Sequence, residues 1–218
     1  MNTKDHILFV VDDDPRVGQA LSELLCSLNF QVVVFSSAAE YLRFPKPDLP
    51  TCLILDLQLP DMNGLDLQGQ LSERDHAPIV FITGRGDIPS SVRAMKAGAI
   101  DFLPKPFGRK QLLHAIEEGL ARDIRARRHR AELDQLKQRF SLLTRREREV
   151  LPLVVAGRLN KQGAAELGIS QITFQIHRGQ IMRKMAARSL AELVRMAGKL
   201  ETPYQCICSQ SEPTRLML

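Results

Sequence analysis

Short apolar runs alternate with amphipathic stretches through the first part of the chain. Five of these runs have the length of a β-strand and are apolar at nearly every position: 7–11, 31–35, 52–56, 78–83 and 99–104. In the stretches between them, apolar residues recur every three or four positions, which is helical spacing. Strands that are apolar throughout are typical of a parallel sheet covered by helices on both faces. The pattern predicts an α/β, flavodoxin-like domain with a five-stranded parallel sheet.

The stretch that follows mixes charges with apolar residues at roughly helical spacing. It extends from about residue 109 to 140, with no proline and no glycine after Gly119. This composition predicts a long helix that links two parts of the chain. Two helices with a kink near Gly119 are the alternative, because glycine lowers helix propensity.

In the remainder of the chain, capping residues and helical spacing predict a four-helix domain. Thr144 and Glu147 have the spacing of a capping box, so a helix begins there. Residues 160–167 and 171–185, on either side of a Gly-Ile-Ser turn, predict a helix-turn-helix. Ser189 then caps a final helix.

Charge divides the chain in the same way as the pattern does. Residues 1–120 carry 11 basic and 16 acidic side chains, whereas residues 121–200 carry 18 basic and 7 acidic ones. A basic domain is a candidate for binding nucleic acid. We therefore predict four segments: an acidic α/β domain at 5–120, a helical linker at 121–140, a basic all-α domain at 141–200 and a disordered tail at 201–218.

Composition bears on whether the protein is soluble and on its location in the cell. It is 44% hydrophobic and 25% charged, and no apolar run approaches the roughly 20 residues that cross a bilayer. With the polar start at Met1–Asp5, this predicts a soluble protein with no secretory signal and no membrane contact. Cys26 and Cys52 lie among apolar residues and are predicted to be buried free thiols. Cys206 and Cys208 form a C-x-C pair that is weak evidence for a metal, so a reducing, cytoplasmic location is expected.

Polar side chains stand where the predicted strands end. Asp12 and Asp13 follow the first strand, Asp56 ends the third, Thr83 ends the fourth, and Lys105 follows the fifth. The carboxyl ends of parallel strands meet at one edge of a sheet. Clustered carboxylates repel one another unless a cation lies among them, and Mg²⁺ prefers such hard oxygen ligands. A carboxylate beside a metal, a lysine and a hydroxyl suits phosphoryl transfer.

Four motifs stand out in this first part: "VVDDD", "LILDLQLPDMNG", "VFITGRGD" and "AMKAGAIDFLPKPF". They resemble the receiver domain of bacterial two-component response regulators. The second part, from "LTRREREVLPLVVAGRLNKQGAAELGIS" onward, resembles a LuxR-type DNA-binding domain. Together the two parts are similar to the FixJ/NarL class, with "GDIPSSVRAMKAGAIDFLPKPF" favouring the FixJ branch. The resemblance covers about residues 5 to 200 and implies a CheY-like receiver followed by a helix-turn-helix domain.

The resemblance also implies roles at the acidic edge. Asp56 would be the phosphoacceptor. Asp12 and Asp13 would be the acidic pair, with Asp13 binding Mg²⁺ directly. Asp56 itself and the backbone carbonyl of Gln58 would complete the protein ligands of Mg²⁺.

A second set of roles implied by the resemblance concerns switching. Thr83 would follow the phosphoryl group, and Phe102 would turn inward when Thr83 moves. Lys105 would form an ion pair with the phosphoryl group, and the Lys105–Pro106 peptide bond would be cis. The face formed by the fourth helix, fifth strand and fifth helix would then either support a homodimer or stop masking the DNA-binding domain.

In the basic part, the helix at 171–185 is the predicted recognition helix. One of its sides is predicted to be buried: Phe174, His177, Arg178, Ile181 and Met185. The opposite side is predicted to face DNA: Gln171, Ile172, Gln175, Ile176, Gly179 and Arg183.

Two kinds of DNA contact are predicted for this domain. Gln175 could read adenine, and Ile176 could contact a thymine methyl group. Phosphate contacts, which add affinity without sequence information, are predicted for four side chains: Lys161, Arg178, Arg183 and Lys184. The chain departs from the family at Gly163, where an aliphatic residue is usual, and at Gly179; both glycines cost helix propensity.

These observations predict a DNA-binding transcriptional regulator controlled by phosphorylation. Its expected partners are a sensor histidine kinase, promoter DNA, RNA polymerase and, when phosphorylated, a second copy of the chain. We expect no enzymatic activity beyond self-catalysed phosphoryl transfer and autodephosphorylation. One alternative is a regulator with a constitutive receiver. Another is a phosphatase of the haloacid-dehalogenase type, which would need a second aspartate where this chain has Gln58.

Overall fold

The computed structural model describes residues 6–71, 77–84 and 88–200, and its contacts divide the chain into two compact units, 1–128 and 129–218. The first unit contains one parallel sheet with the strand order β2-β1-β3-β4-β5. The strands are β1 Ile7–Val11, β2 Gln31–Phe35, β3 Thr51–Asp56, β4 Ile79–Thr83 and β5 Asp101–Pro104. The predicted fold and strand positions are confirmed, with β5 beginning two residues later than the apolar run at 99–104.

Alternate residues of the central strands enter two separate cores. On one face, Leu8, Val10 and Ile54 pack with the first and fifth helices. On the other face, Phe9 and Leu55 pack with the second, third and fourth helices. Burial on both faces explains why these strands are apolar at every position.

The helices of the first unit follow the strands in strict alternation. They are α1 Pro15–Ser27, α2 Ala38–Arg43, α3 Gly64–Gln70 and α4 Ile88–Lys96, followed by the first part of α5 Arg109–Ser141. Asp14 caps α1 by accepting the Arg16 N–H at 2.9 Å, and Pro15 occupies the first helical position. Asp14 therefore serves the helix, although it continues the acidic run of Asp12 and Asp13.

The predicted long helix is confirmed as the single helix α5, so the alternative of two separate helices that meet near Gly119 is wrong. Gly119 is required for close packing, because a Cβ atom there would lie 2.8 Å from the sulfur of Cys52. The boundary between the two compact units falls within α5 at residue 128. Asp123 is buried and accepts the Thr51 N–H at 2.9 Å, which holds this part of α5 to the start of β3.

In the second unit, the residues up to 200 form four further helices after the end of α5. They are α6 Arg145–Val155, α7 Asn160–Glu166, α8 Gln171–Met185 and α9 Leu190–Lys199. The capping box of Thr144 and Glu147 is confirmed, and Ser189 caps α9. The core of this unit contains Leu136 of α5, Val150, Phe174 and Leu193.

Gly163 of α7 has a packing role that compensates for its low helix propensity. Phe174 of α8 is fully buried, and its ring lies against the α carbon of Gly163. A Cβ atom at position 163 would lie 2.5 Å from Cε2 of that ring. The small residue on α7 and the large one on α8 therefore form a matched pair.

We expect Gly163→Ala to lower the free energy of unfolding by about 2 kcal/mol, because the added methyl group overpacks the core. Phe174→Leu alone should lower it by roughly 1–2 kcal/mol through lost contacts. The double variant should lose at least about 1 kcal/mol less than the sum, because the smaller side chain makes room for the methyl group. Denaturant unfolding of the full chain measures all three variants.

Gly179→Ala is the matched control for this cycle. Position 179 is exposed on α8, with no atom within 4 Å of an added Cβ. The substitution should raise stability by up to about 1 kcal/mol through helix propensity alone. Strictly additive losses at 163 and 174 would show that the two positions are not coupled.

The two described cysteines differ in exposure. Cys52 is buried as predicted, and burial raises the pKa of its thiol to about 12. The prediction for Cys26 is wrong: it is exposed, because it lies next to the buried Leu25 on the outer side of α1. Cys206 and Cys208 lie outside the described residues. Among the helices described, none combines the length and apolar content needed to cross a bilayer.

Candidate functional site

The carboxyl ends of the central strands bring the predicted polar residues to one edge of the sheet. Asp12 follows β1, Asp56 ends β3 and Thr83 ends β4, and all three are buried. The register pairs Val11 with Leu55 and Asp56 with Ile82, which places these ends side by side. Each strand thus delivers one polar side chain from an apolar core to the same small region.

Lys105 connects two of these carboxylates. Its ammonium nitrogen lies 2.7 Å from Oδ2 of Asp12 and 2.8 Å from Oδ2 of Asp56. The backbone of Lys105 is held by its N–H, which donates to the carbonyl of Thr83 at 2.7 Å. The Lys105–Pro106 peptide bond is cis, as the resemblance implied. One lysine therefore joins three strand ends.

Burial and the neighbouring opposite charge shift the pKa values of Asp12 and Lys105 in opposite directions. Burial raises the pKa of the Asp12 carboxyl, and the hydrogen bonds from Lys105 and from the Asp14 N–H only partly oppose this effect. Burial lowers the pKa of Lys105, but its hydrogen bonds to Asp12 and Asp56 outweigh burial and raise that pKa overall. Lys105 is therefore held in its charged form beside the carboxylates.

Asp13 completes a group of three carboxylates. One oxygen from each of Asp12, Asp13 and Asp56 can be chosen such that all three lie within 4.8 Å of one another. Asp13 is exposed, while the other two are buried. With one lysine among three carboxylates, the group carries more acidic than basic side chains, which is a receptor for a hard cation.

Gln58 lies in the loop that leaves β3. Its N–H donates to Oδ1 of Asp56 at 3.1 Å, and its side chain is exposed. A single antiparallel bridge pairs Gln58 with Asn63, so the loop folds back on itself. This geometry keeps the backbone of Gln58 directly beside the Asp56 carboxylate.

Phe102 of β5 lies half-buried at the edge of the second core. Its ring centroid is 6.1 Å from that of Phe81 on β4. Strand pairing also places Thr83 beside Pro104, two residues along the chain from Phe102. The predicted switch residues thus occupy two neighbouring strands.

Gly64 brings the loop after β3 back against the site. A Cβ atom at this position would lie 2.6 Å from the backbone oxygen of Asp56 and 3.2 Å from the α carbon of Leu57. The Gly64 N–H donates to the Leu57 carbonyl at 2.8 Å. The sequence pattern indicated a turn here, but it could not show how closely the turn approaches Asp56.

Asp61, in the same loop, has a role that sequence reasoning missed. Its carboxylate accepts the N–H of Ala39 at 2.8 Å and the N–H of Ala38 at 3.2 Å. These bonds, with that from Ala39 the stronger influence, lower the pKa of Asp61. Its partners lie 22 and 23 residues earlier in the chain, so no local pattern signals the contact.

In the second unit, α8 begins and ends at the predicted residues, and its two sides differ in exposure as predicted. Phe174, Ile181 and Met185 are buried, and His177 and Arg178 are half-buried. The residues predicted to face DNA are all exposed: Gln171, Ile172, Gln175, Ile176, Gly179 and Arg183. Ile176 remains 57% exposed despite being apolar. Apolar side chains left exposed beside polar ones favour a contact surface.

The four predicted phosphate contacts differ in availability. Lys161 is exposed, and Arg183 is exposed with a 2.6 Å hydrogen bond to Gln180 on the same helix. Arg178 donates to Asn160 at 3.1 Å, and the Lys184 nitrogen lies 2.7 Å from the buried Glu147. Arg178 and Lys184 therefore have partners within the domain, which sequence spacing could not reveal.

Each of the two units matches a known protein family. Residues 8–117 match the family described as response regulator receiver domain. The chain belongs to the response regulators. Residues 141–197 match the family described as bacterial regulatory proteins, luxR family. It is a two-component response regulator of the FixJ/NarL class with a LuxR-type DNA-binding domain.

Relatives of this response regulator match it over most of their length. Nodulation protein W of Bradyrhizobium diazoefficiens is 48% identical, with 89% of this chain and 86% of that protein covered. Transcriptional regulatory protein FixJ of Rhizobium meliloti is 39% identical, with 88% and 95% covered.

Solved structures of whole chains are also similar to the response regulator. A low-resolution structure of response regulator StyR has a TM-score of 0.81 and 50% identity, covering 89% of this chain and 99% of that one. Full-length FixJ from B. japonicum has a TM-score of 0.52 and 36% identity, covering 92% and 98%.

Proposed function

We propose that Asp56 accepts a phosphoryl group from a sensor histidine kinase and that this modification switches dimerisation and promoter binding. The observation that carries the proposal is the position of the Lys105 ammonium, 2.8 Å from Asp56 and 2.7 Å from Asp12. A nucleophilic carboxylate beside a fixed positive charge is the arrangement that phosphoryl transfer requires. The receiver family of residues 8–117 supports the same role.

The acidic group fits Mg²⁺. Its oxygens lie within 4.8 Å of one another, and Mg²⁺ holds oxygens at about 2.0–2.1 Å while keeping several waters. Asp12, Asp13, Asp56 and the carbonyl of Gln58 would hold the ion, with water between some of them and the metal. Bound Mg²⁺ would supply positive charge to the phosphoryl oxygens.

The positions of the side chains support the following transfer step. A carboxylate oxygen of Asp56 attacks the phosphorus of the kinase's phosphohistidine, the P–N bond breaks, and the imidazole nitrogen keeps the electron pair and takes up a proton. Lys105 meets a phosphoryl oxygen, and the Thr83 hydroxyl donates to another. Attack of water on phosphorus later restores the Asp56 carboxylate and releases phosphate. We propose no other enzymatic activity for the chain.

Switching then uses Thr83, Phe102 and α4. Movement of Thr83 toward the phosphoryl group gives the half-buried Phe102 room to turn inward. The outer side of α4 carries Ile88, Val92 and Met95 at helical spacing, with exposed fractions of 80%, 44% and 46%. This apolar side supports the face of α4, β5 and α5 as the dimer surface. A dimer would bring two α8 helices to promoter DNA. RNA polymerase would be a further partner at the promoter. All of these steps would take place in the cytoplasm.

We expect the affinity for promoter DNA to rise at least about tenfold when beryllofluoride and Mg²⁺ occupy the receiver site, since a dimer contacts two half-sites. Fluorescence anisotropy with labelled promoter DNA measures the change, and Asp56→Asn is the variant that should not respond. Equal affinity with and without beryllofluoride would favour the alternative, a regulator whose receiver is constitutive.

A further inference from the structure

We propose that Asp61 is a positioning residue for the metal and phosphoryl site, acting through the backbone of Gln58. The inference rests on the proposed function, because it concerns the same site. Asp61 touches neither the acidic group nor Lys105 in the contacts found among the described residues. Its effect on the site must therefore pass through the loop in which it stands.

The two ends of this loop, which we define as residues 57–64, are held by their own backbone. The Leu57 N–H donates to the Ile82 carbonyl at 3.1 Å, and the Gly64 N–H donates to the Leu57 carbonyl at 2.8 Å. The bridge between Gln58 and Asn63 closes the loop one residue further out. The four residues between them, 59–62, form the outer part of the loop and are not part of this bridge.

Asp61 provides a connection for this outer part of the loop. Its two carboxylate oxygens each accept one N–H, from Ala38 and from Ala39, in the first turn of α2. The first N–H groups of a helix have no partner within the helix, so a carboxylate is a favourable acceptor for them. Two bonds to consecutive N–H groups define the orientation of the loop as well as its position.

The other end of this connection leads back to the acidic group. The segment before α2 follows β2, and the carbonyl of Phe35 at the end of β2 accepts the Asp12 N–H at 3.2 Å. Asp61 therefore links the loop that carries Gln58 to the strand end that positions Asp12. Asp61 and the two N–H groups therefore hold the loop after β3 and the segment after β2 at a set separation.

This link predicts a specific effect on Mg²⁺ binding. Loss of a residue that orients a metal ligand typically lowers metal affinity by about 10- to 100-fold. Because Gln58 is also held by its own bridge, we expect the dissociation constant for Mg²⁺ to rise about tenfold in Asp61→Ala. Asp61→Asn retains one oxygen acceptor and should lie between Asp61→Ala and the unmodified chain.

The experiment combines calorimetry with phosphorylation kinetics on the full chain. Isothermal titration with Mg²⁺ alone gives the dissociation constant. Labelling by acetyl phosphate over a range of Mg²⁺ concentrations gives the half-saturating Mg²⁺ concentration and the maximal rate. For Asp61→Ala the half-saturating concentration should rise about tenfold, and the maximal rate should stay within about twofold, because the metal ligands themselves are unchanged.

Asp66→Ala is the matched control, because Asp66 is an exposed carboxylate on α3 whose side chain has no hydrogen bond or ion pair to the part of the chain that the structure describes. It removes the same charge, and screening should keep its effect within about twofold. An equal effect of the two variants, or a fall in the maximal rate without a change in Mg²⁺ dependence, would overturn the inference and leave the proposed function standing. Failure of the unmodified chain to bind Mg²⁺ and accept phosphate would overturn both.

Discussion

Asp56→Asn is expected to abolish labelling of the chain by acetyl phosphate or by a phosphorylated kinase. The amide has nearly the shape of the carboxylate but lacks its negative charge and its nucleophilic oxygen, so no acyl phosphate can form. The loss should be complete, because the substitution removes the proposed acceptor group itself. The result is measured by separating the phosphorylated chain from the unmodified chain under acidic conditions, with an isotopic or phosphate-binding label.

The control for this prediction should change the same chemical group elsewhere on the receiver. Asp66→Asn makes the identical substitution at an exposed position on α3. It should be labelled at the rate of the unmodified chain, and both variants should keep the same circular dichroism spectrum. Labelling of Asp56→Asn at an undiminished rate would remove Asp56 as the acceptor.

Gly64→Ala is expected to lower the free energy of unfolding by about 3 kcal/mol, at the upper end of the cost of overpacking. The new methyl group would meet the backbone oxygen of Asp56 at 2.6 Å, and also Phe81 at 3.1 Å. Neither can move aside easily, because Asp56 is paired within the sheet and Phe81 is fully buried. The strain is relieved only by displacement of the loop from β3, so labelling of Asp56 should slow as well.

Gly69→Ala provides a control with the opposite expected sign. Gly69 is an exposed residue of α3, and an added Cβ would have no atom within 4 Å. Alanine there should raise stability by up to about 1 kcal/mol through helix propensity. Denaturant unfolding followed by circular dichroism compares the variants with the unmodified chain. If Gly64→Ala proved as stable as Gly69→Ala, the close approach to Asp56 would not constrain this position.

Local patterns sufficed for most elements of the fold. Strands buried on both faces have no polar alternation, and the capping residues Thr144 and Ser189 act on their own helices within three residues. The side of α8 that faces the core could be predicted because helical spacing alone decides which residues share a side. Cys26 shows the limit of such reasoning: it has apolar neighbours in the sequence, yet it lies one residue beyond the buried stripe of α1.

The edge of the sheet was predictable for a different reason. In a parallel α/β fold all strands end on the same side, so residues far apart in sequence can be assigned to one site once the strands are known. Asp12, Asp56, Thr83 and Lys105 come together in this way. The resemblance to receiver domains assigned them roles that the pattern by itself left open.

The sequence by itself thus determined the order of elements, the acidic edge with its lysine, and the exposed side of α8, because each depends on local periodicity or on the direction of strands. Only the tertiary structure decided that Asp61 holds the first turn of α2, that Lys184 is paired with Glu147, and that Gly163 accommodates Phe174. These contacts join elements through side-chain positions in space, and their partners stand at separations that no periodic pattern encodes.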